Sequence, residues 1–189
     1  MKWLDDHTQD VARKRRAWDE FASSHGGTCK LIHTHAHVYQ RLELTLSRPG
    51  YDIVFGESDK QNWRVTVTGK SARVQPFSIA PRGIVDNLLK VFRHEKACFT
   101  NAVLRGRLIV DGEGGGKAVQ VIEGSPIKEG VLELGSLYLV LIEQEGSFVL
   151  KALPDPIHSF ESHGGVMLEV LDGLVEGLGS CGVLAPAIL

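Results

Sequence analysis

The chain has 189 residues, 43% hydrophobic and 23% charged, with a formal net charge of −2. That length suits one domain with a real core, and the near-neutral charge gives no global reason to expect nucleic acid or an anionic membrane as partner. The three cysteines, Cys29, Cys98 and Cys181, are odd in number and far apart, which argues against a disulfide framework and a cysteine-rich zinc site.

The opening MKWLDDHTQDVARKRR lacks the apolar run of a signal peptide, and no stretch of about 18 uncharged apolar residues follows. No transmembrane helix is expected, and a cytoplasmic location is the default reading. Asp5, Asp6 and Thr8 are helix-start residues. Leu4, Val11, Trp18, Phe21 and Ala22 then repeat at helical spacing towards Ser23, and Gly26-Gly27 stops the helix. Arg13-Lys14-Arg15-Arg16 sits mid-helix, where each residue turns about 100°, so the charges spread around the cylinder as a solvated face.

From Cys29 to Ser47 the sequence CKLIHTHAHVYQRLELTLS alternates with a period of two, which predicts one long strand. Ile32, Thr34, Ala36, Val38, Leu42, Leu44 and Leu46 fall on a buried side, with Gln40 as a misfit. His33, His35, His37, Tyr39, Arg41, Glu43 and Thr45 fall on the wetter side. A turn at Arg48–Asp52, a short strand from Tyr51 to Phe55, a loop over 56–60 and a strand with Trp63, Val65 and Val67 inward come next. Ala80-Pro81 opens a second helix whose stripe is Ile84, Val85, Leu88, Leu89 and Phe92.

Ala102–Val110 and Ala118–Ile122 read as strands flanking a glycine-rich hairpin tip, Asp111 to Lys117. Val131 to Glu143 reads as a strand with a bulge or bend at Gly135. Glu145-Gly146 turns it into a partner strand, Phe148 to Leu153. Val166, Met167, Val170, Leu171, Leu174, Val175 and Leu178 mark a last amphipathic helix. Gly164, Gly165, Gly173, Gly177 and Gly179 weaken it, so it must dock to persist. This order predicts an α+β fold: an antiparallel or mixed β-sheet with helices packed on one face, flanked by N-terminal and C-terminal helices. One domain over 1–189 is expected, with a subdivision near 95–100 as the alternative.

The only unusual chemistry is His33-x-His35-x-His37. Alternate strand residues stand roughly 6.5–7 Å apart on one side, so two imidazoles can converge on one divalent transition metal such as zinc. The third lies about 13 Å from the first and needs a bulge or a ligand from elsewhere. His94, His158, His163, Asp52 and Asp59 are the candidates to complete a shell. Set against that metal site are three histidines on a partly solvated face, or a surface whose protonation weakens an interface.

Other chemistry is missing. The stretches ending Gly116-Lys117 and Gly69-Lys70-Ser71 lack the first glycine of a P-loop, and no strand-to-helix step is expected at either. No nucleophile elbow occurs, and Cys29 or Cys98 beside a histidine reads first as a packed thiol. Trp3, Trp18 and Trp63, the last helix and the tail GVLAPAIL offer material for an interface. The leading reading is a binding or self-associating domain, as a homo-oligomer or with a protein partner. The alternative is a small metal-dependent hydrolase on His33, His35 and His37.

Overall fold

The structure, a computed structural model, describes residues 2–33, 40–58, 61–82, 97–124 and 126–185, the side chains of 2–11, 33, 40 and 61 excepted. Helix α1 (Lys2–Ser24) ends at Gly26, whose φ of 70° is glycine's left-handed region, and releases the chain into β1 (Gly27–His33). Strands β2 (Gln40–Arg48), β3 (Tyr51–Ser58) and β4 (Gln61–Lys70) continue as a meander. After the short β5 (Arg73–Val74) comes β6 (Phe77–Pro81). Helix α2 (Ala102–Arg107), β7 (Leu108–Asp111), α3 (Gly115–Glu123) and α4 (Ile127–Leu134) follow. Strands β8 (Tyr138–Gln144) and β9 (Ser147–Leu153), helix α5 (Phe160–Ser180) and β10 (Leu184–Ala185) complete the order.

Eight strands form one sheet in the order β1-β2-β3-β4-β9-β8-β6-β7, every pair antiparallel. The expected α+β fold is therefore observed, in its antiparallel form. One row of ladder partners, Leu44, Phe55, Val65, Ala152, Leu139, Ile79 and Val110, crosses seven strands with no residue more than 1% exposed. The helices lie on that side. Trp18, from α1, and Phe160, from α5, have ring centroids 4.1 Å apart, and Phe160 meets Phe55 and Trp63 edge-on. Arg48 and Tyr51, flanking the β2–β3 turn, donate hydrogen bonds to the Asp172 carboxylate and anchor α5 to the sheet. Burial first, then that bond, push the Tyr51 phenol far up.

Four expectations need correction. The predicted strand from Cys29 to Ser47 is two antiparallel strands, since Leu31 pairs with Leu42 and His33 with Gln40, so the chain reverses between them. Alternation does not keep its phase through a reversal. Leu31 packs on the core, and Ile32, opposite Arg41, faces away from it. Pro81 is the last residue of β6 and not an early helical residue, and the rest of that expected helix lies outside the described residues. Residues 102–107 and 118–122 are helical. In α3 the buried residues Gly115, Ala118, Val119 and Ile122 follow the helical period, and in α2 Asn101 Oδ1 accepts the Val103 and Leu104 N–H groups as an N-cap. Residues 131–134 end α4, and Gly135, at φ 65°, breaks to β8 rather than bulging within a strand.

Candidate functional site

The side chains that point away from the helices make a second surface. One of its rows is complete across the sheet: Thr28, Thr45, Val54, Thr66, Lys151, Val140, Ser78 and Asp111. No described helix packs there, because the buried apolar side chains of the helices join the core on the other side.

That face has two characters. On β2 and β4 it is polar: Arg41, Glu43, Thr45 and Ser47, then Arg64, Thr66, Thr68 and Lys70. On β8 and β9 it is apolar. Tyr138, Val140 and Ile142 face outward from β8, between the inward Leu139 and Leu141, so this strand is apolar on both sides. Beside them are Val149, opposite Ile142, and Leu153, opposite Tyr138. Val149 is only 8% exposed yet stands outside the continuous core, as its orientation requires. A strand apolar on both sides is the pattern of a strand covered twice. Arg64 and Lys151 are exposed at the junction of the two halves and have no ion-pair partner among the described residues. Arg41 is different, its guanidinium lying 3.0 Å from Glu43.

Pro154-Asp155-Pro156 leads to Ile157, which is 83% exposed and whose N–H donates to Asp155 Oδ1. Of the four exposed large hydrophobic side chains among the described residues, Tyr138, Leu153 and Ile157 fall at this one end of the sheet. The next residue, His158, is fastened by its carbonyl, which accepts a 2.7 Å bond from Trp63 Nε1.

The structure brings only some of the sequence candidates together. His33 ends β1, its side chain lies outside the described residues, and His35, His37, Asp59 and His94 lie outside them altogether. Asp52 is at the far end of β3 from Ser58, which pairs with Arg41 beside the His33–Gln40 pair. At about 3.4 Å per residue that is roughly 20 Å from the histidine end. His158 and His163 do meet, ring centroids 3.8 Å apart. They meet beside β4, three strand spacings or about 14 Å from β1. Among the described residues no three His, Cys, Asp or Glu side chains are grouped to hold a metal ion.

Cysteine chemistry finds no support in the geometry. Burial first, then the neighbouring Asp19 carboxylate, push the Cys29 thiol up to about 11, which keeps it protonated at neutral pH. Cys98 is exposed, and the half-buried Cys181 thiol is turned to the Leu178 carbonyl at 3.5 Å.

The glycine-rich stretch does run from a strand into a helix, from β7 into α3, contrary to the sequence reading. Two of its glycines allow a close approach to the preceding loop: a Cβ on Gly112 would meet the Pro76 carbonyl at 2.6 Å, and the Gly114 N–H donates to that same oxygen at 3.0 Å. At the other end of α3 the Gly124 N–H donates to the Gln120 carbonyl, and the Glu123 side chain ties the helix to the start of α2. Burial would raise the Glu123 carboxyl, but the Asn101 N–H and the Thr100 hydroxyl donate to it and hold it below the usual range.

No family model matches the chain, and no curated protein matches it. One solved structure is similar, the crystal structure of the mycobacterial trehalose monomycolate transport factor A, TtfA. The TM-score is 0.52 at 11% identity, covering 92% of this chain and 97% of that one. Identity that low carries the fold alone. No described helix is long and apolar enough to cross a membrane.

Sequence reasoning missed the outward face of β8 and the exposed Ile157. The signal was present in LYLVLIE, where neighbouring positions are apolar in both phases.

Proposed function

We propose that this protein is a non-catalytic binding domain whose bare sheet face receives a protein. The observation that carries the reading is β8, with Tyr138, Val140 and Ile142 outward and no described element over them. Contiguous exposed apolar patches mark interaction sites, and an aromatic ring and an unpaired arginine on either side of Leu153, here Tyr138 and Arg64, are residue types enriched at interface centres. The likeness to a protein named as a transport factor is compatible with a role in binding rather than catalysis.

Photo-cross-linking tests it. A benzophenone amino acid placed at Val140 or Tyr138, in cells of the source organism, should give adducts to another chain. The same probe at Glu133, exposed on α4, should give none. Adducts that stay within the chain, for instance to the apolar stripe Ile84 to Phe92, or equal yields at all three positions, refute the reading.

A further inference from the structure

We infer that the protein the face receives is a second copy of this chain, docked about a two-fold axis through the ridge of Leu153 and Ile157. This rests on the binding reading above and adds the partner's identity. The ridge is set up for it. Ile157 is held out by a short loop with prolines at 154 and 156, an aspartate cap on its own N–H, and the Trp63 bond to the next carbonyl. Little conformational entropy remains to be lost when it is buried.

The charges on the two flanks of the ridge have opposite sign. Towards the bare face stand Arg64 and Lys151. Arg64 precedes Val65, whose ladder partner Ala152 precedes Leu153, so Arg64 and Leu153 are side by side. Towards the helix layer stands the exposed Glu161, in the first turn of α5. A two-fold axis along which the ridges meet exchanges the flanks, setting the cations of one copy over Glu161 of the other. An isologous interface needs that self-complementarity.

Area gives the extent. Tyr138, Leu153 and Ile157 together expose on the order of 300 Å², less than the roughly 800 Å² per partner of a stable pair. The contact must therefore extend onto the adjoining β8–β9 surface, where Val140 and Lys151 lie. A two-fold contact uses the same patch on both copies, so the pair closes and does not grow into a filament.

The test is light scattering on the full chain over a concentration series. Wild type is expected to be a dimer at micromolar concentration. Ile157→Asp, on an exposed side chain, should leave the thermal midpoint in place and weaken the dimer at least about 30-fold, the effect of a hot-spot residue. Arg64→Glu should weaken it as well, and Arg64→Glu combined with Glu161→Lys should restore it. A wild-type monomer overturns the inference, and if cross-links from Val140 still reach another protein, the binding reading survives it. A dimer untouched by Ile157→Asp but lost on Val140→Glu overturns the ridge and keeps the face. A dimer indifferent to both overturns the two together.

Discussion

Two glycines of α5 should respond to the same substitution with opposite sign. Gly165 is exposed, and a Cβ there meets nothing within 4 Å. A Cβ at Gly173 would stand 2.5 Å from Ile127 Cγ2, about 1 Å inside ordinary contact. That methyl sits on a β-branched side chain of the neighbouring α4, which has little freedom to turn aside. Alanine in place of glycine inside a helix gains about 0.8–1 kcal/mol by propensity at either position. Overpacking at Gly173 costs about 1–3 kcal/mol, so Gly165→Ala should stabilise and Gly173→Ala should destabilise. Because the propensity gain is common to both, the difference between the variants isolates the close approach of α4 and α5. With a urea slope of about 2 kcal/mol/M the two midpoints should lie roughly 0.5–1.5 M apart, on either side of wild type. If Gly173→Ala stabilises as much as Gly165→Ala, the account of these glycines as spacers between packed helices is wrong.

Phe160→Ala removes the ring that Trp18, Phe21, Phe55 and Trp63 share, and should cost about 3–5 kcal/mol in urea unfolding, with a change in tryptophan emission; a loss under about 1.5 kcal/mol would mean that α5 is held elsewhere. At pH 8 a thiol reagent should label exposed Cys98 well before Cys29, and the reverse order would contradict the raised Cys29 pKa. In the unfolded chain the Cys29 thiol ionises near 9.0 and in the folded chain near 11, so its contribution is fully present below pH 9 and is lost as pH rises to 11. Cys29→Ala should flatten that part of the alkaline stability curve. Purified protein should carry zinc, nickel, copper and iron at background by elemental analysis; near-stoichiometric metal that His35→Ala removes would instead establish a metal site on the histidine run and reopen the hydrolase reading.

The sequence announced an element wherever its period and its punctuation agreed. In α1 the spacing of Trp18 and Ala22 met Gly26, and both side chains are buried. In the β8–β9 hairpin, Glu145 and Gly146 supply the two positive φ values, 51° and 74°, that a tight two-residue turn requires. Where the two disagreed, composition misled. Ala118 to Ile122 is rich in β-branched residues and reads as strand, yet its burial repeats at three and four residues because α5 and the sheet edge need a helix there. Asn101 and Pro126 were start signals for α2 and α4, overlooked because each helix is under nine residues and its apolar pattern too brief to show a period.

The stretch from Cys29 to Ser47 shows how a correct local pattern can support a wrong geometry. Alternation on both sides of residues 34–39 was real, and β1 and β2 are both strands with one face on the core. What the pattern could not carry was direction. Two strands that pair antiparallel present the same alternation as one strand twice as long, and only the phase distinguishes them: odd residues inward on β1, even residues inward on β2. Leu31 and Leu42, ladder partners and both directed to the core, differ by an odd number of positions, which no straight strand allows. His35 and His37 fall between the two strands, outside the described residues. The apolar outward side of β8 meets the opposite situation. Its pattern survives any choice of register, because both phases are apolar, and so the two-sided apolar character of that strand is as plain in the sequence as in the fold.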